Sequence, residues 1–156
     1  MQQMQQIKQM IALAMLAVCA YTDIRERNIY LAPLVISVAG GVMTVLAAFW
    51  FIPEYGFAGL IPDLVVPALA GALIVMIVKL SGKYIGDGDG YMMASLGILI
   101  GNAHNLMVLV TASVAASMYA AVLVIGKKKR RIIGIPFAPF VLSGYMAVTM
   151  TGIWLN

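Results

Sequence analysis

Long apolar blocks separated by short polar breaks dominate this chain, and they fall at 7–22, 29–51, 64–80, 91–101, 106–125 and 132–155. Wound as α-helix, about 20 apolar residues span the hydrocarbon core of a bilayer. The fourth block is shorter than that. None of them alternates apolar with polar residues as a transmembrane β-strand would, and 64–80 is apolar almost throughout. The pattern predicts an all-α, polytopic membrane protein with about six transmembrane helices, organised as a single transmembrane domain over 1–156. Pro53, Pro62 and Pro67 with Gly56 and Gly59 predict a loop between the second and third spans. Gly101, Asn102, His104 and Asn105 predict a tight turn between the fourth and fifth. No internal repeat, low-complexity tract or soluble linker interrupts the series.

Composition agrees with this reading, since 63% of the residues are hydrophobic and 10% charged, against about 25% charged in soluble domains. The formal charge of +4 does not indicate a nucleic-acid partner, because the basic residues sit in short clusters beside apolar blocks. Arg25 and Arg27 follow the first block, Lys79 and Lys83 the third, and the run 127–131 the fifth. The intervening loops hold Glu54, Asp63 and His104. Every second loop is therefore basic, which places those loops in the cytoplasm and both termini outside. Only Lys8 falls on the other side. The run 127–131 is read as a topology determinant with affinity for anionic lipid, about 1 kcal/mol per residue. Cys19, the one cysteine, lies in an apolar block and is read as a small buried hydrophobe. Tyr21-Thr22-Asp23 is not a small-residue cleavage site, so the first block is read as a retained helix. Small-residue clusters at Gly40-Gly41, Ala70-Gly71 and Ala115-Ala116 predict close helix contacts.

Candidate chemistry concentrates in Gly86-Asp87-Gly88-Asp89-Gly90, which carries two of the six acidic residues. Carboxylates beside hydrocarbon are disfavoured unless paired, hydrated or used. Asp23 closes the first block and Asp89 opens the fourth, so the two share one membrane depth at the cytoplasmic side. Two carboxyls within a water's reach do not both ionise readily; one holds a proton and the other stays charged. Such a pair is equipped for general acid–base hydrolysis through a water, and equally for a proton relay or ion site in a small transporter or channel subunit. Simpler roles exist for each residue. Asp89 can be a helix N-cap, Asp23 an interfacial anion paired with Arg25 or Arg27, Asp87 a hydrated loop charge, and Glu26 a solvated one. A metal-dependent phosphotransferase using Asp87 and Asp89 would need further acidic ligands. His104 and Cys19 offer no nucleophile–base pair at this depth, and the twelve methionines do not cluster with histidine. No metal or other cofactor is called for.

Three stretches resemble the type IV prepilin peptidases, membrane aspartic proteases with a GxGD motif. Gly86-Asp87-Gly88-Asp89 fits GxGD, and Met92-Met93-Ala94-Ser95-Leu96-Gly97 is similar to the family's continuation. Asp23, ahead of a basic stretch ending in Ile29, is similar to the family's first catalytic aspartate. Ile135-Pro136-Phe137-Ala138-Pro139-Phe140 resembles the Ile-Pro-Phe-Gly-Pro-Phe motif of the last span. Tyr91 and Tyr30 depart from the family's usual lysine and proline, which bears on substrate preference.

The resemblance implies a GxGD protease core with Asp23 and Asp89 as the catalytic pair. Gly86, Asp87, Gly88 and Gly90 would form the active-site loop, and Pro136, Phe137 and Pro139 the last-span motif. It implies a prepilin or pseudopilin substrate of a type IV pilus or secretion system, cut where its basic leader meets its apolar helix at the cytoplasmic face of the membrane. Long members add a zinc domain with four cysteines, linked to N-methylation. One cysteine and a short loop after the first block lead to the expectation of a peptidase-only short form.

Overall fold

A computed structural model describes residues 2–80, 86–125 and 135–151. Its elements are α1 (Gln2–Glu26), α2 (Leu31–Phe51), α3 (Gly56–Leu60), a π-helical turn (Ile61–Val65), α4 (Val66–Leu80), α5 (Asp87–Ile100), α6 (Asn102–Ile125) and α7 (Ala138–Met150). No strand occurs among the described residues. Four helical stretches are long and apolar enough to cross a bilayer: α1, α2, Gly56–Leu80 as one continuous helix, and α6. α5 and the described part of α7 are shorter. Lys83, the basic run 127–131 and both ends of the sixth predicted span lie outside the described residues.

α5 is the hub. Met92, Met93, Ser95, Leu96, Gly97, Leu99 and Ile100 are all buried, so this short helix turns several faces inward, and α1, α2, α4 and α6 pack against it. The outer helices bury single stripes at helical spacing. α2 buries Leu34, Ser37, Gly41, Val45 and Ala48, and α6 buries only Asn105, Val108 and Ala112. Their remaining surface is apolar: Ile36, Met43, Leu69, Leu73, Val114 and Val122 are all more than half exposed. Apolar surface of this extent is met by lipid. The small-residue contacts are present in part, with Gly41 against Leu99 and Gly71 against Ala94 of α5.

Three sequence expectations are corrected here. The predicted loop before the third span is largely helix, because the π-helical turn at 61–65 admits Pro62 where a strict α-helix would clash. α1 starts at Gln2 rather than Ile7, its glutamines extending the helix, and runs past Asp23 to Glu26. The turn near 101 needs one residue: Gly101 adopts φ 79°, donates to the Gly97 carbonyl at 2.9 Å, and α6 begins at once.

The inward stripe of α1 is Met4, Lys8, Ala12, Met15, Leu16, Cys19, Ala20 and Asp23. It is apolar and tightly buried between two charged ends. At one end Lys8, 2% exposed, pairs with Asp63 at 3.8 Å, and Asp63 also accepts from the Tyr55 hydroxyl at 2.7 Å. At the other end is Asp23.

Candidate active site

Asp23 is buried on the last turns of α1, 8% exposed. Its Oδ2 accepts the backbone N–H of Ala138 at 2.9 Å. Ala138 is the first residue of α7, where backbone donors lack helical partners, and Pro139 beside it has none to offer. The segment with Pro136 and Pro139 thus ends in a free N–H aimed at a carboxylate, with the positive end of α7 behind it. Arg25 is engaged elsewhere, donating to the Tyr21 hydroxyl at 2.6 Å. Asp23 is thus buried and bonded to α7, and of the two arginines considered for it Arg25 is turned to Tyr21. Glu26 does match its reading: it is exposed and accepts from the Tyr30 hydroxyl.

Asp89 stands in the first turn of α5. Gly86 is the N-cap, extended at φ −64° and ψ 129°, and the Asp89 N–H donates to the Gly86 carbonyl at 3.0 Å. Asp89 is thus the third helical residue, not the cap, because Asp87 already opens the helix. Two glycines let α5 start in a narrow space. A Cβ on Gly88 would lie 2.8 Å from Ile29 Cβ, and one on Gly90 would lie 2.7 Å from Val78 Cγ2. The segment after α1 and the end of α4 therefore hold this turn between them.

Asp89 precedes the apolar part of α5 that starts at Tyr91, outside the membrane-spanning segment. Burial first, and the Asp23 charge second, push its carboxyl from the ordinary 3.8 up to about 6. Two acids far apart in sequence thus act on one another at one end of the bundle. Asp87 and Gly86 are exposed beside them. A cleft of about 450 Å³ opens on Asp89. Its walls are Ile74, Ile77 and Val78 of α4, Met93 of α5, Leu109 of α6, and Phe137. Among the described residues no three His, Cys, Asp or Glu side chains gather as a metal site would require.

The family model for the type IV leader peptidase family matches residues 10–121. This chain belongs to the type IV leader peptidase family. The matched stretch includes Asp23 and all of 86–90, and stops before Pro136. Neither the comparison with curated proteins nor that with solved structures found a match. The chain is thus an all-α membrane protein of a peptidase family.

Two contacts at the site escaped the sequence reading. Ala138 acts through its backbone, and the motif around it drew attention to Pro136, Phe137 and Pro139 instead; the signal was the helix start that these prolines mark. Val78, which closes on Gly90, carried no signal, being one valine among many apolar residues.

Proposed function

We propose that this chain is an aspartic endopeptidase of the cytoplasmic membrane that removes the leader of prepilin-like or pseudopilin precursors. It works as one transmembrane domain, with Asp23 and Asp89 catalytic and water as the nucleophile. The observation that carries this reading is the meeting of Asp23, bonded to the start of α7, with Asp89, raised by burial and then by the Asp23 charge beside an open cleft, within a chain of a leader peptidase family.

The unequal surroundings of the two acids assign their roles. Asp23 accepts the Ala138 N–H at the first turn of α7, and burial together with the Asp23 charge raises Asp89. Asp89 is desolvated and faces that charge, so the shared proton resides on it. Asp23 takes a proton from a bridging water as the water oxygen bonds to the scissile carbonyl carbon. Asp89 passes its proton to the carbonyl oxygen, giving a neutral tetrahedral gem-diol. Asp23 then delivers its acquired proton to the nitrogen, the C–N bond breaks, and a gem-diol hydroxyl proton returns to Asp89. The products are a carboxyl-terminated leader and a free amine, and both aspartates regain their starting states.

Arg25, Arg27 and Lys79 are exposed near this end of the bundle, which supports a cytoplasmic active site with both termini outside. Exposed Asp87 offers a screened attraction to a basic leader. A proton relay through the membrane finds less support. Between Lys8 and Asp23 the α1 stripe holds Ala12, Leu16 and Cys19, each 0% exposed, and the buried hydroxyl that reaches it, Ser37, is directed at the Met15 sulfur rather than at a titratable group.

The test is direct. Purified protein in lipid nanodiscs is incubated with a precursor carrying a basic leader and an apolar helix, and the products are weighed by mass spectrometry. A single cut at the leader–helix boundary is expected. Uncut substrate, with proton uptake into proteoliposomes, would reassign the aspartates to transport.

A further inference from the structure

α4 and α6 both pack on α5 yet scarcely touch each other, and the Asp89 cleft lies in the gap they leave. Apolar surface continues outward from this gap along α4: Ile77, which lines it, is 49% exposed, and Leu73 and Leu80 on the same face are 53% and 78% exposed. The gap therefore opens toward hydrocarbon. Its walls present Ile74, Ile77 and Leu109 to whatever enters, with Met93 at the back. Asp89 is the charged residue among the lining side chains. On the other side of the same turn, Asp87 is exposed and polar.

We propose that this cleft seats the first apolar side chains after the cut bond, and that Leu109 and Ile77 set how large those side chains can be. This rests on the peptidase reading above. The leader then lies on the Asp87 side, and the scissile carbonyl sits between the two aspartates. The substrate's apolar segment fills the cleft from the bilayer side. A lipid acyl chain fits the walls less well, because it offers the Asp89 carboxyl no acceptor. A peptide brings a carbonyl to that point. The cleft volume of about 450 Å³ has room for an aromatic side chain with its neighbour, within the range of pockets that enclose small groups. One methylene of misfit in an apolar pocket changes kcat/KM by about 10-fold or more.

The experiment compares two precursors, identical except for Phe or Ala immediately after the cut, by their ratio of kcat/KM in nanodiscs. Leu109→Trp should lower the Phe/Ala ratio about 10-fold or more, and Leu109→Ala should raise it. Val114→Trp, on an exposed part of α6, should leave the ratio where it is. A second measurement does not depend on activity. With copper–phenanthroline as oxidant, Leu109→Cys with Asp23→Asn should form a disulfide with a precursor bearing cysteine just after the cut position, and none with cysteine in the leader. An unchanged Phe/Ala ratio in both Leu109 variants, or crosslinking to the leader alone, overturns the assignment while leaving the peptidase reading intact. A wild-type protein that cuts neither precursor removes both.

Discussion

Asp89→Asn isolates what it takes to keep a carboxyl in the cleft, because the amide preserves the shape and cannot ionise. In the native protein burial and the Asp23 charge raise Asp89 from 3.8 to about 6. Each pH unit of that interval corresponds to about 1.36 kcal/mol, a ceiling of about 3 kcal/mol. Asp89 is only half-buried, and solvent screening reduces this to about 1–2 kcal/mol. The direction follows from proton linkage. Below 3.8 native and unfolded chains are both protonated at this residue, and nothing is lost. As pH rises toward about 6 the unfolded chain ionises first, the native state loses stability, and above that value the loss is complete. An amide at this position would escape the loss. At pH 8 the variant should therefore melt about 2–8 °C above the wild type, and at pH 4 the two should nearly coincide. Helical circular dichroism followed on heating supplies the assay at both pH values, and at pH 8 the buried thiol of Cys19 gives a second readout, since a thiol-reactive dye in neutral detergent reports its exposure. A variant less stable than wild type at pH 8, or a gap that ignores pH, would refute the reasoning.

Three further predictions follow from named contacts. With Asp89 as the proton-bearing acid, log kcat/KM should fall with unit slope above about pH 6; a flat profile to pH 8 counts against that role. Gly90→Ala drives a methyl to 2.7 Å from Val78 Cγ2, and such overpacking costs about 1–3 kcal/mol. It should cut kcat/KM about 10-fold or more, with Val78→Ala in the same chain recovering most of the loss; equal activity in the single and double variants would show that the α4–α5 contact does not position Asp89. Lys8→Met leaves Asp63, 28% exposed, with Tyr55 as its remaining described partner and should destabilise by about 1–3 kcal/mol, whereas Lys8→Met with Asp63→Leu should melt closer to wild type. A double variant no more stable than the single would show that the pair is not a coupled unit.

The membrane-spanning helices were legible because lipid exposure enforces apolar runs that no tertiary contact can disguise. The ends were less so. Pro62 reads as a breaker only if the helix is strictly α, and the π-helical turn around it is a backbone solution invisible in residue types. In the stretch 86–90 either aspartate can cap a helix, and only the packing of Gly88 on Ile29 and Gly90 on Val78 decides that Gly86 caps and Asp89 turns inward. The convergence of Asp23 and Asp89 on one end was readable from equal depth along alternating helices. The Ala138 N–H that holds Asp23 was not, since a backbone donor leaves no mark in the residue types. Lys8 stands out in the sequence only as a charge on the wrong side of the membrane, yet it falls on the same α1 stripe as Ala12, Cys19 and Asp23. Helical spacing alone would have placed it inside.

The central claim is that two acids divide one proton so that water splits an amide. The measurement closest to it is precursor cleavage by Asp23→Asn and by Asp89→Asn, each purified in nanodiscs and first shown to be folded by the Cys19 melt. Asparagine keeps an acceptor for the Ala138 N–H and the bulk of either side chain, so only the ionisable group is lost. The account predicts that the wild type cuts once at the leader boundary and that neither variant cuts detectably. Cleavage near the wild-type rate by either variant would contradict it.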